Sequence, residues 1–416
     1  MEDKKVGSRI ARVLEAAAVF VILMAFWITL AVRDSDTAND GDDGATAVPG
    51  QFAAIASDCS RSVEAELNRL VAEAPDGSTL TLPGDACYGI DGPLVIAGKS
   101  NFTLDGDGAT LRAITPGGEQ RANIDVRRGT AISVVDVVVE GAFPGPSGDG
   151  LPGNGPRNGN ITGTQHGVFL RSVQGATVRD VRAVNTGGDC VTAMSDYDPV
   201  LGFVGGPSRD VVIEGLDCRH TGRQGVAIVD AERVVVRDAT IGDVYNCAVD
   251  IEPDVDTQLA RDIRIEGVTF GSVRSAAICN GGQGASPNVR NVSVVGNRMT
   301  EPPSSCAGAV HVETSSQHQA GGQRRTGYRF VDNSFRSVSY GFVLSGLSDV
   351  EISGNTVERA REAVYACADF TRSPPAPPPA VFVRDVQRLH GARNRWEGYD
   401  EVVRADTAST DVQPLR

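Results

Sequence analysis

The chain predicts an all-β solenoid. Three observations carry that reading: paired short strands rich in β-branched residues, a small residue opening the second strand of each pair at a recurring interval, and a composition high in glycine (48 of 416 residues) and low in aromatics (5%). Such a composition suits many tight turns and few large side chains. The pairs read VVIEGLDC…GVAIV, VVVRDATI…AVDIE, IRIEGVTF…AAICN, VSVVGNRM…AVHVE, YRFVDNSF…GFVLS and VEISGNTV…AVYAC. Their openers are Gly167, Cys190, Gly225, Ala248, Ala276, Ala309, Gly341 and Ala363. The base step is 23 residues, as from Gly167 to Cys190 and from Gly225 to Ala248, with longer turns elsewhere. Strands without helical spacing, repeated at that period, stack as a β-solenoid.

The elements before the repeat follow in order. Residues 1–12 carry Lys4, Lys5, Arg9 and Arg12, and 13–32 form the apolar run VLEAAAVFVILMAFWITLAV, interrupted only by Glu15. At 1.5 Å per residue this run spans a hydrocarbon layer of ~30 Å. Basic residues before it and Asp34, Asp36, Asp40, Asp42 and Asp43 after it orient a signal-anchor with the N-terminus cytoplasmic and the rest exported to the plasma-membrane exterior. A cleaved signal peptide is the competing reading, disfavoured by the length of the run and the lack of a small-x-small site after it. Residues 33–50 read as a flexible tether. A capping helix is expected within 51–76, starting at Ser57 with Asp58 or Ser60 as cap, burying Val63, Leu67, Leu70 and Val71, and stopped by Pro75-Asp76-Gly77. The solenoid is expected over 77–405 and a tail over 406–416. Residues 141–160 and the Pro-rich 373–380 read as loops.

Eight cysteines follow the anchor, where an oxidising compartment permits disulfides. No CxxC pair marks a zinc site, and Cys59 with Cys87, flanking the first structural unit, is the expected pairing. A formal charge of −14 argues against nucleic acid and anionic lipid as partners, because both need basic footprints.

The segment GSTLTLPGDACYGIDGPLVIAGKSNFTLDGDGATL behind the expected helix resembles the amino-terminal cap and first turns of the pectin-lyase-like superfamily of right-handed parallel β-helices, over about residues 57–400. The resemblance implies that fold and leaves the reaction among hydrolysis, lyase elimination, epimerisation and binding alone. TGGDCV, Thr186 to Val191, is similar to the Gly-Asp-Asp-Cys segment of polygalacturonase-type hydrolases, with Asp189 as the second acid and Gly188 at the place of the first. Where that family has Gly-His-Gly, this chain has GRQG.

Side chains alternate along a strand, so the openers assign faces. One and three places after each opener lie inward positions such as Val249 and Ile251. Two and four places after it lie outward ones: Phe169, Thr192, Ala227, Asp250, Ile278, His311, Val343 and Tyr365, then Arg171, Met194, Val229, Glu252, Asn280, Glu313, Ser345 and Cys367. Asp250, Glu252, His311 and Glu313 are thereby the candidate catalytic residues, with Asn280 between them. Arg223, Gln224, Asp189 and Asp230 border the same face as candidate substrate contacts. Asp250 and Glu252, two residues apart, have Cα atoms ~6.6 Å apart, near the ~6.5–9.5 Å an inverting glycosidase keeps between its carboxyl groups. A lyase would instead use Arg223 or His311 as base and Ca²⁺ to neutralise a uronate, with Asp254 the candidate ligand beside Asp256. His166, His318 and His390 carry no expected role. The expected function is binding and cleavage of a polysaccharide by a membrane-anchored protein, the alternative being a non-catalytic glycan-binding or adhesin-like module.

Overall fold

The computed structural model describes residues 49–116, 121–143, 165–198, 202–281, 288–299, 308–313, 324–360 and 378–416. These residues wind into three parallel sheets, and each turn of chain contributes one strand to each. In one representative turn, Cys247–Ile251 belongs to the first sheet, Ala260–Glu266 to the second and Thr269–Phe270 to the third. Every strand of these three sheets pairs in parallel with its counterpart one turn away, so sheet order follows chain order, while Asp196–Asp198 and Gly202–Val204 form a separate antiparallel pair.

Polar punctuation in the sequence sets where each strand bends. In the second sheet one residue near each strand's start takes a left-handed conformation: Asp210, Arg233, Asp262, Asn291 and Asp349 have φ of 55 to 57°. Asp and Asn tolerate this region better than most residues. A second left-handed position, filled by Gly296, Asp332 and Gly354, leads into the third sheet. The Asn after each one builds a buried ladder. Asn297, Asn333 and Asn355 donate their backbone N–H to the Oδ1 of Asn333, Asn355 and Asn394 respectively, each at 3.0 Å. Turn carbonyls take up their amide hydrogens, as Asn333 Nδ2 does to Val294 O at 2.9 Å. This satisfies backbone groups that the turn would otherwise strand in the core.

Inside, stacked apolar side chains such as Val226, Val249, Ile278, Val310, Phe342 and Val381 form one continuous core. The openers must be small because a neighbouring turn passes against them; a Cβ on Gly225 would lie 2.4 Å from the carbonyl oxygen of Ala248.

Four expectations need correction. The helix spans Glu64–Glu73, not a start at Ser57, because Asp58–Ser62 is extended, pairs with Cys87–Ile90 and is stapled there by the Cys59–Cys87 disulfide. Its N-cap is Val63, without a side-chain cap, so neither Asp58 nor Ser60 serves. The helix buries Leu67, Leu70 and Val71 as expected. Residues 406–416 are no tail: Thr410–Val412 joins the second sheet, and Trp396 Nε1 donates to Leu415 O at 2.8 Å, with Leu415 buried. Finally, the first-sheet strand stacked on Tyr340–Ser345 is Val381–Arg384. The strand expected at Ala363, with Tyr365 and Cys367, lies outside the described residues, as do the apolar run 13–32, the flexible tether up to residue 48, His318 and Cys306.

Candidate functional site

The outward face of the first sheet gathers most of the expected residues. Asp250 pairs in register with Ala227 on one side and Cys279 on the other, and Cys279 pairs with His311. Outward here does not mean wet: Asp250 is 4% exposed, Glu252 6% and Asp189 0%.

Arg223 ties these acids together. Its Nη1 donates to Asp189 Oδ2 at 2.7 Å and its Nη2 to Glu252 Oε1. Gln224 is the second tie: its backbone N–H donates to Asp189 Oδ1 at 3.0 Å and its Nε2 to Asp250 Oδ2 at 2.8 Å, while its Oε1 accepts the N–H of Cys247 at 2.9 Å. Thr192 Oγ1 donates to Asp189 Oδ2 at 2.8 Å, and the N–H of Asp189 donates to His166 Nδ1 at 3.2 Å. GRQG therefore supplies a cation and an amide to three buried carboxylates.

One guanidinium cannot balance three carboxylates in so dry a setting. Burial of Asp189 opposes its charge, but Arg223 and then His166 outweigh that and hold it at about 2. Burial pushes Asp250 up to about 7 against the pull of Arg223, with Asp189 and Asp254 adding to the rise. Glu252 is raised as well, again by burial opposed by Arg223. Asp250 and Glu252 titrate as a pair. The bonds decide where their shared proton sits. Glu252 accepts from a guanidinium, which favours its ionised form, whereas Asp250 accepts only a neutral amide and its Oδ1 has no partner. Burial raises both carboxyls, and these bonds make Asp250 the better placed of the two to carry the proton. Burial would also lower Arg223, but Asp189, Glu252 and Asp250 reverse this and keep it charged.

Two small apolar clusters produce the dryness. Phe169, Met194, Ala227 and Val229 pack on one side of the acids, and Cys247, Ala276 and Cys279 on the other, with a disulfide joining Cys247 to Cys279. A third disulfide among the described residues, Cys190–Cys218, ties the first sheet to the third through the core.

No protein-family model and no curated protein sequence matches this chain. Solved structures do. The family 28 exopolygalacturonase of Yersinia enterocolitica superposes with a TM-score of 0.59 at 13% identity, over 87% of this chain and 76% of that one. PfbA, a surface adhesin of Streptococcus pneumoniae, gives 0.57 at 8% identity over 85% and 90%. The A-module of the mannuronan C-5 epimerase AlgE4 of Azotobacter vinelandii gives 0.53 at 11% identity over 87% and 98%. The chain has the pectin-lyase-like right-handed parallel β-helix fold. A hydrolase, an adhesin and an epimerase share it, so the fold alone selects no reaction.

Within this β-helix, Asp189, Arg223, Gln224, Asp250 and Glu252 form one contact network, as their sequence placement anticipated. Five expected residues stand apart. Asn280 points inward and is fully buried, because the turn from Ala248 to Ala277 is one residue longer than an Ala276 opener implies; Ile278, not Ala277, stacks on Val249. Its Oδ1 accepts from Tyr328, and its carbonyl accepts from the buried Arg325 Nη1 at 2.7 Å, making a polar knot under the sheet. Asp230 accepts the N–H of Leu259 at 2.9 Å and so holds a turn rather than facing a ligand. Asp254 is an exposed turn residue whose N–H donates to Gln258 Oε1 at 2.7 Å. Among the described residues no three acidic, imidazole or thiol groups gather as a metal site, so the Ca²⁺ reading of Asp254 has no ligand set there. His311 and Glu313 form a second, smaller group: His311 Nε2 lies 3.4 Å from Glu313 Oε2 and its Nδ1 3.3 Å from Tyr340 Oη. The Cys279 turn separates them from Asp250. His166, given no role by the sequence, belongs to the main network. The signal for it was available: the residue just before an opener also faces outward, in a column running His166, Asp189, Gln224, Cys247, Ala276, Gly308 and Tyr340.

Proposed function

We propose that the first-sheet face binds a polysaccharide and hydrolyses it, with Asp250 as the acid that protonates the leaving oxygen and Glu252 as the carboxylate that activates water. The arrangement that carries this reading is a buried Asp250 whose Oδ1 has no partner and whose carboxyl is pushed up by burial, two residues from a Glu252 that accepts from Arg223. Separate protonation states on neighbouring carboxyls are what glycoside hydrolysis needs, and strand spacing of ~6.6 Å suits an inverting arrangement. His166 and Thr192 orient Asp189, which in turn fixes Arg223. A uronate lyase is supported less well. It needs an uncommitted cation for the sugar carboxylate, and both terminal nitrogens of Arg223 are engaged.

The apolar run 13–32 further leads us to propose that this face stands outside the plasma membrane on a single-pass anchor.

The test is incubation of the full chain with neutral and uronic polysaccharides, following new reducing ends together with absorbance of unsaturated uronates. Reducing ends without that absorbance, lost by about a thousandfold in Asp250→Asn and Glu252→Gln, are expected. Unchanged cleavage in either variant sinks the assignment. Retention on a polymer that is never shortened indicates binding alone.

A further inference from the structure

The outward face of the second sheet follows a rule and breaks it once. Its arginines are matched with acids: Arg209 with Glu232, Arg233 with Asp210 at 2.6 Å, Arg237 with Glu214 at 2.6 Å, Arg264 with Glu266 at 2.5 Å, Arg329 with Glu351 at 2.8 Å and Arg388 with Asp349 at 2.5 Å. Among the described residues Arg261 and Arg290 have no such partner, yet they stand directly opposite each other in the parallel register. Like charges in that relation destabilise a sheet.

Neighbouring acids offer no relief. Glu232, one strand before Arg261, is already shared by Arg209 and Arg233. Asp262 accepts the side-chain amide of Asn291 at 2.8 Å, and Glu266 is held by Arg264. On the far side Arg290 meets Thr326. Arg261 is half-buried, and its Nε is shielded from solvent without any acceptor. A donor hidden from water and left unmatched is costly unless something else accepts from it.

We propose that Arg261 and Arg290 form a binding site for one oxyanion group, a carboxylate, sulfate or phosphate ester. Arg261 and Arg290 stand on neighbouring strands ~4.8 Å apart, close enough for their two guanidinium forks to converge on one such group, each able to donate two parallel hydrogen bonds. The bound anion removes the repulsion and satisfies the shielded Nε together. The site lies on a different sheet from the carboxylate network and stands whether or not that network cleaves glycans. The protein's formal charge of −14 gives the site selectivity, since diffuse attraction does not hold a polyanion on such a surface.

The decisive variant is Arg290→Glu in the full chain, which places a carboxylate opposite Arg261. Without ligand, its melting temperature should rise by about 1–2 °C, because repulsion becomes a cross-strand ion pair. Its retention on dextran sulfate should fall about tenfold or more, with unmodified dextran as blank and polygalacturonate as the carboxylate arm. The parent should also gain more melting temperature from inorganic sulfate than from chloride at equal ionic strength, and the variant should lose that excess. Arg290→Gln keeps the test usable if the Glu variant folds poorly, and it should lose retention likewise. Arg233→Gln, which removes a matched arginine from the same face, should bind within twofold of the parent. Equal retention in the parent and both Arg290 variants overturns the site. So does an equal loss in Arg233→Gln, which would make the binding diffuse.

Discussion

The first and second sheets of this β-helix use similar residue types for opposite ends. On the second sheet, ion pairs such as Arg233–Asp210 leave both side chains about half exposed, at 48 and 55%. On the first, Arg223 is 24% exposed while its partners Asp189 and Glu252 are 0 and 8%. Exposed pairs stay ionised whatever their neighbours do, because water screens them. Buried ones must share charge and protons. The difference teaches that acidic residues on a strand mean little until their hydration is known, and that a shortage of cations in a dry place produces a usable proton.

Removing the cation should show the contrast most strongly. Arg223→Met strands two buried carboxylates, and a loss of about 3–5 kcal/mol in unfolding free energy at pH 8 is expected from denaturant titration. A loss below about 1 kcal/mol would place Arg223 with the surface pairs and remove the basis for an ionised Glu252.

Asp250→Asn should act in the other direction. The folded chain holds the Asp250 proton more tightly than the unfolded chain, so ionising it costs stability as pH rises from about 4 to about 7. Asn carries no such cost. The variant should gain on the parent by up to ~4 kcal/mol between pH 4 and pH 8. A gap that stays flat over that range would mean that Asp250 is ionised throughout.

The two outer disulfides separate staple from wall. Replacing Cys59 and Cys87 by serine, or Cys247 and Cys279, should each cost about 3 kcal/mol, since they close loops of similar length, 28 and 32 residues apart. Only the second pair borders Asp250. Opening it admits water and loosens the Cys247 N–H bond that steadies Gln224. The pH window over which Asp250 costs stability should then shift downward, while loss of Cys59–Cys87 leaves it in place.

Much of this was legible in the residues. Small openers and Gly-Asn strand ends reflect steric demands of each turn, and these act locally, so the repeat and the outward place of Asp250 and Glu252 could be read from spacing. Asn280 was misplaced because one extra turn residue flips every side chain of a strand, and loop length sets register without a residue-level mark. Residues 58–62 read as helix start because Asp58 and Ser60 are good caps, but pairing with a strand 25 or more residues later overrode that local preference. Burial of the acids was beyond reach, since it depends on apolar neighbours such as Phe169 and Met194 from other turns.

The smallest predicted effect bounds the comparison from below. Arg233→Ala removes an exposed guanidinium that bonds Asp210 through Nε and Nη2 at 2.6 and 2.8 Å. Good geometry alone would suggest a substantial loss. Yet both groups keep much of their hydration, the freed Asp210 carboxylate returns to water at little cost, and the pair gives back side-chain entropy when broken. Arg233 also holds a left-handed backbone conformation, φ 55°, which Ala tolerates no better, so the substitution does not relieve strain. A change within about 1 kcal/mol, shrinking further at high salt, is expected from paired denaturant curves. A loss approaching that of Arg223→Met would mean that the second sheet depends on its charge ladder, and the distinction between wet and dry pairs would fail.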